Sequence, residues 1–87
     1  MHAVVVKVNV NEQEAAETAL REEVVPRVSQ APGFVAGYWT RKDHSGLSLI
    51  VFESEDAANG LAERVRSMAP EAVTVEDVEV REVVVNA

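Results

Sequence analysis

An α+β sandwich, a four-stranded antiparallel sheet carrying two helices on one face, is the fold class predicted by this chain of 87 residues. Three observations predict it. Valine-rich segments of strand character alternate with two helical stripes in the order βαββαβ, without repeats or linkers. The length fits one domain spanning residues 1–87. The strands read apolar on both faces, although two helices can cover only one of them. A second copy of the chain is the expected cover for the other face.

Residues 2–10 are dense in valine, whose branched side chain suits a strand better than a helix. Val4, Val6, Val8 and Val10 fall on one side of this first strand, Ala3 and Val5 on the other. Asn11 followed by Glu14 resembles a capping box, and Ala16, Leu20, Val24 and Val28 then recur every fourth residue with Ala19 beside them. This stripe predicts a first helix over residues 12–29. Pro26 has no amide donor and its ring collides with the carbonyl four residues back, so a kink or a helix end is expected near Val25.

Pro32 and Gly33 punctuate the exit from that helix. Residues 34–42 alternate as a second strand, Asp43, His44, Ser45 and Gly46 form a turn, and residues 47–53 make the third strand. With Lys42 opposite Leu47, one face carries Phe34, Ala36, Tyr38, Leu49 and Val51, and the other carries Val35, Gly37, Trp39, Ile50 and Phe52. Ser54 is a good N-cap, with Glu55 and Asp56 behind it at the positive helix end. Ala58, Leu61, Val65 and Met68 mark the buried stripe of this second helix, and Pro70 closes it. Its Gly60 costs about 1 kcal/mol relative to alanine, which a close backbone approach would explain.

From Val73 onward the chain is again rich in valine, but its parity slips after Val75, and a bulge around Glu76 and Asp77 absorbs the slip. The order βαββαβ, with both helices on one face, is the split βαβ arrangement of ferredoxin-like folds. The long final strand, continuing through Asn86 and Ala87, is the segment expected to pair with a partner copy. The plainer alternative is a terminal strand that folds back on its own sheet.

The net charge of −7 opposes binding to phosphate backbones and anionic lipid, so neither nucleic acid nor membrane is an expected partner. Without cysteine there is no disulfide, thiolate metal site or thiol nucleophile, and a cytoplasmic location is the default expectation. The opening run lacks a basic leader and is interrupted by Lys7, so it reads as neither signal peptide nor membrane span. His2 and His44 have no ligand-spaced partners, and no metal or other cofactor is expected. Arg41, Lys42 and His44 form a small basic corner that solvation explains. No Gly-rich phosphate loop or nucleophile elbow is present.

The stretch Ala31-Pro32-Gly33-Phe34-Val35-Ala36-Gly37-Tyr38-Trp39, with Ile50-Val51-Phe52-Glu53-Ser54-Glu55-Asp56-Ala57-Ala58 after the hairpin, resembles the dimeric α/β-barrel superfamily, in particular its antibiotic biosynthesis monooxygenase-like branch. In element order the resemblance covers nearly the whole chain. It implies a homodimer built as a dimeric α/β barrel, a pocket between helices and sheet in each subunit, and cofactor-independent monooxygenation of an aromatic metabolite. Two departures stand against the catalytic part. Members that act as monooxygenases or haem-degrading enzymes commonly carry a tryptophan where this chain has Phe52 and a histidine near the position of Leu61. Without that histidine no axial haem ligand is at hand. The alternative is a non-catalytic dimer, a ligand-sensing or assembly module on the same scaffold.

The candidate substrate-binding residues are Trp39, Tyr38, Asn9 and Phe52; no catalytic residue stands out. Trp39 and Tyr38 are the large aromatics with polar handles, able to stack on or donate to a small apolar or aromatic metabolite. Packing against Ala16, Ala19, Ala57, Ala58 and Ala62 would use the same rings without a ligand. Neighbours on a strand point oppositely, so at most one of the two serves a pocket, and the other is left for the dimer interface. Asn9 lies near the end of the first strand, where some superfamily oxygenases place an amide that orients substrate or dioxygen. Its plainer role is as a turn residue leading into Asn11. Lys7 could anchor an anion, although pairing with a last-strand carboxylate such as Glu79 is the commoner use.

Overall fold

The computed structural model describes residues 1–87. Its elements are β1 (His2–Val10), α1 (Gln13–Ala19), a π-helical turn (Leu20–Val24), α2 (Val25–Ser29), β2 (Phe34–Lys42), β3 (Ser45–Phe52), α3 (Glu55–Met68) and β4 (Val73–Glu82). The strands form one antiparallel sheet in the order β2-β3-β1-β4, an α+β arrangement compatible with a ferredoxin-like fold. The helices share one face of it. Val4, Val6, Ile50 and Phe52 from the sheet pack there against Val28, Ala58 and Leu61. No helix is long and apolar enough to cross a membrane.

Pro26 widens the first helical arm instead of ending it. The amide of Val25 bonds the carbonyl of Leu20, five residues back, and the backbone stays right-handed helical from Ala19 through Val25. A π turn makes room for a proline ring that a regular turn would set against the carbonyl of Glu22. The expected capping box is not formed. Glu12 holds the N-cap position without a side-chain bond. Asn11 instead donates to Thr74 Oγ1 at 3.1 Å and accepts from Asn9 Nδ2 at 2.8 Å, while its amide and that of Glu12 donate to the carbonyl of Ala72. The chain entering β4 supplies the acceptor that a local cap would have provided.

The hairpin turn is shorter than expected, with Lys42 opposite Ser45 and only Asp43 and His44 between them. Asp43 takes φ 56°, a left-handed conformation that aspartate tolerates. The register differs from the expected one by two residues, so parity survives: Ala36, Tyr38, Leu49 and Val51 face outward and Gly37, Trp39, Ile50 and Phe52 face the helices. Phe34 and Val35 exchange faces relative to expectation because the β2–β3 register shifts between Phe34 and Ala36. The Phe34 ring thereby meets Phe52 edge to face, with centroids 6.2 Å apart, and Val35 is exposed.

The second bulge lies where the valine pattern places it. Asp77 stands opposite Lys7 and Val75 opposite Val8, leaving Glu76 as the extra residue and keeping Val73, Val75, Val78 and Val80 on the helix side. Lys7 thus faces Asp77, whereas Glu79 is held by Arg81 at 2.7 Å. In α3, Ser54 Oγ accepts from the amide of Ala57 at 3.2 Å. Ala69 is extended, as a residue before proline prefers.

The close approach expected at Gly60 is not found, since nothing lies within 4 Å of where its Cβ would stand. Only the backbone entropy cost remains. Gly60→Ala is therefore expected to stabilise the fold by about 0.5–1 kcal/mol, read as a raised urea midpoint with an unchanged slope.

Candidate functional site

β3 turns its two smallest inward residues, Gly46 and Ser48, toward the helices near the hairpin end, and Ile50 and Phe52 at the other end. Ile50 and Phe52 fill the interlayer space; Gly46 and Ser48 leave it open. An apolar cavity of about 80 Å³ results, with Val6 and Val8 of β1 on its floor. Its roof is Leu20 and Val24 from the π turn with Val65 and Met68 from α3, and Ala69 and Pro70 complete the lining on that side.

Trp39 forms the flank of this cavity. It stands opposite Ser48 across the β2–β3 ladder. Its six-membered ring lies over Gly37, so close that a Cβ there would fall 2.7 Å from the indole Cη2. Gly37 is thus the bed on which the indole rests, a steric role rather than a conformational one. None of the lining side chains is ionisable, and the polar ones belong to Trp39, Thr40 and Ser48. Thr40 spends its hydroxyl on the carbonyl of Leu47 at 2.7 Å. Trp39 and Ser48 are left as the polar features of an otherwise hydrocarbon wall.

The four residues singled out from the sequence separate. Trp39 lines the cavity. Tyr38 is on the open face of the sheet and 61% exposed. Asn9 has the outward parity of β1 and is tied to Asn11. Phe52 is fully buried against Phe34, outside the cavity lining. Leu61, at the position where a histidine would have been informative, is a buried wall residue of the cavity. No three His, Asp or Glu side chains converge as a metal site would require. The reading from sequence missed Ser48 and the role of Gly37. Parity could have found Ser48, because it is a hydroxyl at a core-facing position of a strand whose next inward residues are Ile50 and Phe52.

The chain matches no protein-family model and no curated protein. Fold and cavity define it as a small α+β protein with an apolar site between its layers.

Proposed function

We propose that this protein is a homodimer, two sheets packed face to face as a dimeric α/β barrel, in which each subunit binds a small apolar or aromatic molecule between helices and sheet. The observation that carries this reading is the cavity with Trp39 on its wall. At about 80 Å³ it is roughly half the 150 Å³ that accommodates benzene in an engineered apolar cavity. The unbranched, adaptable Met68 in the roof is the side chain able to yield the remaining room.

The other side of the sheet supports the dimer. Tyr38, Leu49 and Val5 are successive neighbours across β2, β3 and β1, and Leu47 and Val51 flank Leu49. An apolar patch that crosses three strands is a surface of the kind that partners cover. The amide of Val83 bonds the carbonyl of Met1 at 3.0 Å, and beyond it Val84 and Val85 are 87% and 84% exposed. A second subunit would shelter them.

The cavity lining holds no acid or base. An oxygenation there, of the kind the resemblance implies, would draw its electrons from the substrate, with the protein supplying a dry, shaped space. A ligand sensor needs less of the lining and is favoured by that chemistry. Trp39 is the only tryptophan, so its emission reports the site. Titration with electron-rich aromatics is expected to shift that emission saturably. Oxygen uptake on the same compounds would mark an enzyme, and binding without uptake would mark a sensor. A flat titration throughout removes the proposal.

A further inference from the structure

Ser48 is buried, with 9% of its surface exposed, at a position whose neighbours on the same face are Val6, Ile50 and Trp39. A valine or alanine would continue the core there. Its hydroxyl takes part in none of the side-chain hydrogen bonds of the chain. Nor is its oxygen sealed off as an orphaned buried atom, and the residue lines the cavity. A hydroxyl held among hydrocarbon without a protein partner contributes nothing to the fold that alanine would not, and such a group calls for a partner from outside.

We infer that Ser48 sets the polarity of the ligand: the molecule held in the cavity carries one hydroxyl or carbonyl oxygen, placed at Ser48, on an otherwise hydrocarbon body. This inference rests on the cavity being a ligand site. A serine hydroxyl both donates and accepts, so phenols, alcohols and ketones all satisfy it. The indole of Trp39, its cross-strand neighbour, has a donor and no acceptor, so an oxygen is the ligand atom that both residues can serve. The remaining wall, from Val6 and Val8 to Leu20, Val24 and Val65, offers no second polar partner, so a ligand with polar groups at both ends would leave one of them unmatched. Carboxylates and phosphates are excluded on the same ground, because no cation lines the space.

Phenol and toluene test this, since they share a shape and differ in one hydroxyl. Both are titrated against the intact protein and against Ser48→Ala, with Trp39 emission as the binding signal and the melting temperature as the stability signal. The intact protein is expected to prefer phenol. In Ser48→Ala phenol should weaken by roughly three- to tenfold, toluene should hold its affinity, and the melting temperature should stay level or rise. Equal loss for both compounds together with a lowered melting temperature would show the hydroxyl to be structural and overturn the inference. So would a phenol preference that survives the substitution. If neither compound binds the intact protein, the failure lies with the cavity as a ligand site.

Discussion

Phe52→Ala is expected to cost about 3–5 kcal/mol, the largest effect of any single truncation in this chain. Phe52 is fully buried, stands between His2 of β1 and Phe34 of β2, and meets Phe34 edge to face. Three terms therefore add: the lost transfer of a large side chain, the cavity left behind, and about 0.5–1.5 kcal/mol for the aromatic pair. Small domains are stable by only about 5–15 kcal/mol, so the variant should be partly unfolded at ordinary temperatures. Urea denaturation followed by circular dichroism measures it. Phe52→Leu keeps most of the volume and should retain more than half of the lost stability. A loss below about 1 kcal/mol for the alanine variant would mean that the Phe34–Phe52 contact is not the centre of the core.

Leu49→Asp is expected to dissociate the proposed dimer while leaving the subunit folded. Leu49 is 41% exposed on the open face, between Tyr38 and Val5. Outward parity makes the substitution mild for the isolated fold, within about 1 kcal/mol. In a sheet-to-sheet interface it would bury an unpaired carboxylate in apolar surroundings, at a cost of several kcal/mol. A two-fold interface contains the position twice, so dimer affinity should fall by at least about a hundredfold. Sedimentation of the original and substituted chains over a dilution series decides the matter. A sedimentation pattern that does not change on substitution would rule out assembly through this face.

Parity arguments reached most of the fold because they depend on neighbouring residues alone. The valines of β1 and the Glu76 bulge were legible in this way. Even a hairpin register displaced by two residues left the outward set of Ala36, Tyr38, Leu49 and Val51 intact. What was not legible depends on residues far apart in the chain. Asn11 looks like a cap until Ala72 and Thr74 arrive with better acceptors. Phe34 reads as sharing a face with Tyr38 until Phe52 rewards a bulge that turns it to the other. Pro26 announces a disturbance of the helix, but whether the chain ends there or widens depends on the packing of the turns on either side. At the site, Trp39 was legible as one of two aromatics with polar handles, of which the sheet's packing against the helices turns Trp39 and not Tyr38 toward the cavity. Ser48 was legible only as a hydroxyl at one parity of β3; its isolation among hydrocarbon walls emerges once those walls are assembled.

The π turn leaves a final consequence for the cavity. Leu20 and Val24, which form part of its roof, both belong to the stretch where the helix carries an additional residue and its carbonyl–amide ladder is out of step. The turn contains no fully buried residue, and segments with few buried contacts open first. For the proposed ligand, the ceiling would therefore be a softer part of the enclosure than the valine-built floor. Guests of differing girth would be admitted by breathing on that side alone, with the strands beneath keeping their places.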